Sequence, residues 1–131
     1  MSTDRVDGAV IAYLEDVAPD GRVTYLSEGA LRLLHRATSG PACDPGPGAE
    51  RRFARADAAP AVPGERMRLE ISFANVAACI TRGHHLRLSL AGADAGTFST
   101  LTDAPATWSV SVGGPDGSTL QVPMQPVTPE P

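Results

Sequence analysis

A chain of 131 residues suits a single domain. Hydrophobic residues make up 42% and charged residues 20%, the balance of a globular domain rather than a disordered chain. The net charge of -4 excludes the basic face a nucleic-acid partner needs, and no apolar run is long enough to cross a membrane.

Residues 1–6 read as a polar leader without a secretory core segment, which points to a cytoplasmic location. Residues 9–17 are almost wholly apolar until Glu15 and predict a well-buried strand. Pro19, Asp20 and Gly21 predict a turn: proline presets φ and glycine takes a positive φ. Residues 23–26 then return as the second strand of a hairpin. In residues 27–36, Ala30, Leu31, Leu33 and Leu34 suit a helix turn. The preferred reading is a bulged continuation of the strand, with Gly29 at the bulge. Residues 37–65 hold Pro41, Pro45, Pro47, Pro60 and Pro63 with Gly40, Gly46, Gly48 and Gly64, so they predict a long connection. A loop of that length is often functional or draped over a neighbour.

The hydrophobic period then becomes two. Met67, Leu69, Ile71 and Phe73 alternate with Arg68, Glu70 and Ser72 in residues 66–73. Residues 85–90 place Leu86, Leu88 and Leu90 on one face, residues 107–112 do so with Trp108, Val110 and Val112, and residues 119–124 with Leu120, Val122 and Met124. All four segments predict half-buried antiparallel strands. Residues 113–117 read as the hairpin loop between the last two, and residues 125–131 as a frayed tail. There is no internal repeat. The expectation is an all-β antiparallel sandwich over residues 7–124.

All eleven cations are arginine, which reads as a coding-composition bias. Cys43 and Cys79 are too few for a disulfide scaffold or a four-thiolate metal site. One disulfide stays open, with free buried thiols favoured.

Three stretches carry a family resemblance. The first runs through Tyr13, Leu14, Glu15, Asp16 and Val17, the turn at Pro19, Asp20 and Gly21, then Glu28, Gly29, Ala30, Leu31, Arg32, His35 and Arg36. The second is Pro63, Gly64 and Glu65, leading into residues 67–73. The third is Arg82, Gly83, His84, His85, Leu86, Arg87 and Leu88, followed by residues 91–98. In order and spacing these resemble the C-terminal domain of the X-Pro dipeptidyl-peptidase and cocaine-esterase group of serine hydrolases. That resemblance implies a jelly-roll-like (galactose-binding-like) sandwich that packs on an α/β-hydrolase domain and helps to shape its substrate pocket or its oligomer. The family's Ser-Asp-His triad would lie upstream. Two departures stand out. The family's Gly-His-Arg is here Gly83, His84 and His85, which removes an arginine able to form a forked ion pair. The family sandwich also begins one or two strands before the position of Ala9, so an unpaired edge and self-association near residues 9–17 are expected.

Candidate chemistry is sparse. Gly92, Ala93, Asp94, Ala95 and Gly96 have the outline of a nucleophile elbow, but Thr97, Phe98, Ser99 and Thr100 do not begin a helix, so Asp94 reads as a turn aspartate. His84 and His85 point to opposite faces of a strand start, poorly placed to share a metal with His35, Asp94 or Asp103. Glu28 and Arg32 read as an ion pair or as backbone-bonded groups. Trp108 could stack on a sugar, but it shares a face with Val110 and Val112, which favours the core. Arg51, Arg52 and Arg55 form a basic loop cluster, solvated by default and otherwise suited to an acidic partner surface. The sequence reading therefore assigns no catalytic, cofactor or metal residue. It expects a non-catalytic accessory domain whose partner is a catalytic α/β-hydrolase domain or a second copy at an open sheet edge. The alternatives are a free-standing carbohydrate- or protein-binding module and a truncated product.

Overall fold

The computed structural model describes residues 1–39, 48, 50–98, 101 and 104–126. Cys43, Ser99, Thr100, Asp103 and the tail residues 127–131 lie outside the described residues. Five strands form among those described: β1 (Ser2–Thr3), β2 (Ala9–Val17), β3 (Val23–Arg32), β4 (His85–Ala91) and β5 (Trp108–Ser109). They make one three-stranded antiparallel sheet of order β3-β2-β4 and one two-stranded antiparallel sheet, β1-β5. The rest is irregular apart from short 3-10 turns at Leu33–His35 and Arg55–Asp57. The domain is all-β and antiparallel, consistent with a β-sandwich.

The apolar run of β2 takes the central position, where both edges are paired and both faces are covered. Val10, Ile11, Ala12, Leu14 and Val17 are buried, joined by Ala18, Leu31, Leu33 and Ala61. The expected turn closes the β2–β3 hairpin. Ala18 N–H donates to the Arg22 carbonyl at 2.9 Å, Gly21 takes φ 85°, and the Asp20 carboxylate accepts the Arg22 N–H at 3.0 Å. This topology moves the open edge away from the position expected from sequence. Residues 9–17 are flanked on both sides, and the outer strands of the sheet are β3 and β4.

Residues 27–32 continue the strand, as preferred, but the bulge is not at Gly29. The β2–β3 register shifts between Leu14, opposite Ser27, and Glu15, opposite Tyr25, so Leu26 is the extra residue. Gly29 serves a different need. Residues 71–74 cross over it, and a Cβ at Gly29 would lie 2.3 Å from the Ser72 carbonyl oxygen and 2.9 Å from Ile71 Cγ2. Close backbone approach is the other reason for a strand glycine.

The first six residues are not a leader. Met67 N–H donates to the Met1 carbonyl at 2.8 Å, the Met1 amine donates to the Met67 carbonyl at 3.1 Å, and Thr3 is buried. Residues 66–73 show the expected alternation, with Met67, Leu69, Ile71 and Phe73 half-buried and Arg66, Arg68, Glu70 and Ser72 exposed. Yet this segment builds no ladder. Among the described residues its backbone bonds at its ends, to Met1 and, through Ala74 N–H, to the Glu28 carbonyl at 3.0 Å. Residues 107–112 form only the two-residue β5. Residues 119–124 form no strand, although Ser118 N–H closes on the Ser111 carbonyl at 2.8 Å around the glycine loop. Alternation decides which way side chains point, whereas a ladder also needs a neighbouring strand. Among the described residues these segments have none.

The consequence is a thin core. The chain exposes 9388 Å², against about 6,600 Å² for a compact monomer of this mass. Val112, 82% exposed, and Met124, 66% exposed, show where expected strand positions face solvent.

Replacing Gly29 with alanine drives a methyl group into the Ser72 backbone. Thermal or urea unfolding of Gly29→Ala should show a loss of about 1–3 kcal/mol, the usual cost of overpacking.

Candidate functional site

The antiparallel β2–β4 register sets Tyr13 opposite Ser89 and Glu15 opposite Arg87 on one face. Glu15 Oε2 accepts from Arg87 Nε at 2.8 Å and from Ser89 Oγ at 2.5 Å. Two residues along, the Tyr13 hydroxyl donates to Asp94 Oδ2 at 2.6 Å, and Asp94 Oδ1 accepts the Gly96 N–H at 2.9 Å. Asp94 is thus a turn aspartate that also ties its loop to β2. On the opposite face Asp16 is buried beside His84, whose Nδ1 lies 2.9 and 3.0 Å from the two carboxylate oxygens. Gly83, at φ 89°, turns the chain so that His84 can reach inward as β4 begins.

These contacts set the protonation behaviour. The Tyr13 hydroxyl is pushed up to about 12, first by its hydrogen bond to Asp94 and then by burial. Asp94 is lowered by the same bond and by the Gly96 N–H. Glu15 is lowered first by Arg87 and then by Ser89. Burial pushes Asp7 up, but the Arg32 guanidinium outweighs it and holds the carboxyl below its ordinary value.

A carboxylate on Nδ1 is the arrangement that orients a catalytic imidazole. Among the described residues, however, no serine, threonine or cysteine is hydrogen-bonded to His84. The pair joins the end of β2 to the start of β4 and, as it stands, positions a histidine without a nucleophile. His85 is exposed and forms no ion pair among the described residues, so the forked contact of the family arginine has no replacement there. No three metal-ligating side chains come together among the described residues. His84 faces Asp16, His35 packs edge-on against Phe53 at 5.5 Å, and Asp94 faces Tyr13.

Three expectations need correction. Arg32 pairs with Asp7, donating from Nε at 2.9 Å and from its terminal nitrogen at 2.6 Å, and not with Glu28. In a strand, residues four apart share a face but lie roughly 13 Å apart, too far for an ion pair. Cys79 is a free and exposed thiol rather than a buried one. Arg51 and Arg52 are not a solvated pair. Arg51 donates to the Glu70 carbonyl at 2.6 Å, and Arg52 to Asp57 at 2.9 Å. With His35, Ser39 and Phe53 they line a small cavity of about 100 Å³. Arg36 donates to the carbonyls of Leu33, Ala59 and Pro60, fastening the long connection to the end of β3.

Trp108 is half-buried and packs over two glycines. A Cβ at Gly8 or at Gly92 would lie 3.1 Å from its indole. The ring therefore closes the junction between the two sheets and offers no exposed stacking platform. The remaining feature is apolar. Ala12 faces Leu90 and Leu14 faces Leu88 on the inner face of the larger sheet. Ala12 and Leu14 are buried, but Leu88 is 39% and Leu90 43% exposed. The inner face thus runs past its cover at β4. No helix among the described residues is long and apolar enough to cross a membrane.

A model of the X-Pro dipeptidyl-peptidase C-terminal non-catalytic domain matches residues 1–105. Two curated proteins, each named "Putative serine esterase", one from Mycobacterium bovis and one from Mycobacterium tuberculosis, are 40% identical over 119 residues. The match takes in 90% of this chain and 19% of each relative, so the chain spans about a fifth of the length of the curated relatives it matches. No solved structure gives a significant match.

The Tyr13–Asp94 bond has a pH signature. A tyrosine raised in the folded state stabilises the fold fully below its ordinary value of 10.0, and that contribution fades as pH rises through about 12. A lowered aspartate stabilises above its ordinary range, and that contribution fades as pH falls through its depressed folded value. Ultraviolet titration of the folded chain should show one tyrosinate appearing near 12. Asp94→Asn should move it toward 10.0 and Tyr13→Phe should remove it. A transition near 10.0 in the unsubstituted chain would mean the bond does not form.

Proposed function

Since the chain belongs to the family of X-Pro dipeptidyl-peptidase C-terminal non-catalytic domains, we propose that it serves as the accessory β-sandwich of a serine hydrolase. Its work is to dock on a catalytic α/β-hydrolase domain and shape the substrate pocket, or to associate with a second copy through an open sheet edge. The jelly-roll form of the sandwich belongs to the same proposal. The observation that carries it is the uncovered inner face at Leu88 and Leu90. A strand that buries one face of its sheet at Leu14 and leaves the same face open one strand further on is shaped to receive another surface. The esterase names of the two mycobacterial relatives suggest ester hydrolysis as the parent reaction. The polar pairs of β2 and β4 hold the scaffold in register and carry no step of that reaction.

A chromogenic short-chain ester tests the proposal. The purified chain should hydrolyse it no faster than buffer does. Added to the α/β-hydrolase portion of the Mycobacterium tuberculosis relative, produced without its own matching region, it should raise the rate or the thermal stability of that portion. Hydrolysis by the chain alone, abolished by His84→Ala or Asp94→Ala, would mean that it is a small enzyme.

A further inference from the structure

The outer edge of β4 is bare in a way that natural sheet edges seldom are. Edges are usually blunted by proline, by bulges, or by unpaired charges. His85–Ala91 has no proline or glycine, and its pairing with β2 runs without a register shift. Its arginine, Arg87, is already bound to Glu15. Among the described residues, no backbone hydrogen bond reaches its outer side. The opposite edge of the sheet differs. At β3, Ala74 N–H occupies the Glu28 carbonyl, Ser27 Oγ holds the Ala74 carbonyl at 2.6 Å, and Ser72 lies over Gly29.

The residues of β4 also complement themselves. In antiparallel pairing of two copies centred on Leu88, Leu88 meets Leu88, Leu86 meets Leu90, Arg87 meets Ser89 and His85 meets Ala91. Leucines then face leucines on one side of the sheet. On the other side no like charges stand opposite, because each Arg87 meets a serine and keeps its own Glu15. Such pairing is isologous and closes as a two-fold dimer. There is surface to remove. Each copy exposes roughly 2,800 Å² more than a compact monomer of its mass, whereas a standard interface removes only about 1,600 Å² from both partners together.

We propose that two copies of this chain pair through β4, antiparallel about Leu88, to form one six-stranded sheet of order β3-β2-β4-β4-β2-β3. This rests on the oligomer arm of the accessory-domain reading and specifies its edge and register.

Light scattering coupled to size exclusion on the full chain should show a dimer that dissociates on dilution. Leu88→Lys places two like charges face to face at the two-fold axis, at a position already 39% exposed. It should weaken association roughly tenfold or more, with thermal melting checking that the variant folds. Leu88→Cys, in a background carrying Cys43→Ser and Cys79→Ser, reads the register independently of that variant. Antiparallel partners lie about 4.5–5.5 Å apart at Cα, within the span of a disulfide, so mild oxidation should convert the dimer to a covalent one. Leu120→Cys in the same background should not do so. A chain monomeric at every concentration, or a dimer that ignores Leu88→Lys and leaves Leu88→Cys unlinked, overturns the proposal. Complementation of the hydrolase portion by a monomeric chain would overturn this edge while leaving the accessory role standing. Failure of complementation alongside cross-linking at residue 88 would do the reverse.

Discussion

The pairing of β2 on both sides is the constraint on which the rest of the molecule depends. Ala9–Val17 has β3 along one edge and β4 along the other, and its side chains supply most of the buried apolar surface. A strand so placed satisfies all its backbone groups in ladders, which is why it can be almost continuously apolar. The elements around it are organised by reach to this strand. Those that touch it are regular. Those that do not, such as residues 66–73 and 119–124, keep a strand's pattern without a strand's bonds.

The polar residues of β2 solve a problem that its apolar ones create. Asp16 is buried, and Glu15 and Tyr13 are half-buried. A buried carboxylate without partners is costly. Each of these residues reaches across to β4 or to the loop after it: Asp16 to His84, Glu15 to Arg87 and Ser89, Tyr13 to Asp94. A one-residue slip of β4 would turn every one of these side chains to the wrong face. The polar contacts thus fix register where leucine-rich packing would tolerate sliding, and that order makes a defined edge at β4 intelligible.

Much of this was legible in the residues, and the part that was not has physical causes. Period-two alternation located β2, β4 and the turn at Gly21, because pleating and turn geometry are local properties. The failure of residues 119–124 to become a strand was invisible, since alternation carries no information about whether a neighbour exists. Arg32 was matched with Glu28 on spacing, whereas its partner Asp7 comes from another segment and is brought near only by the fold. The His84–Asp16 pair could have been suspected from one signal, an acid inside an apolar strand. That signal requires a partner without saying which. Gly29 was noticed for the right kind of reason and given the wrong role, because a bulge and a crossing strand leave the same mark in sequence.

Trp108 is the single tryptophan of the chain, and its indole is held between Gly8 and Gly92, at the junction of the two sheets. The molecule therefore carries its own optical gauge of that junction. An indole lifted off two glycines enters water, and its emission shifts to longer wavelength whatever the larger sheet is doing. Joining of the sheets and melting of the larger one can thus be followed as separate events without any added label, and a partner that tightens the whole assembly would draw the two together in temperature.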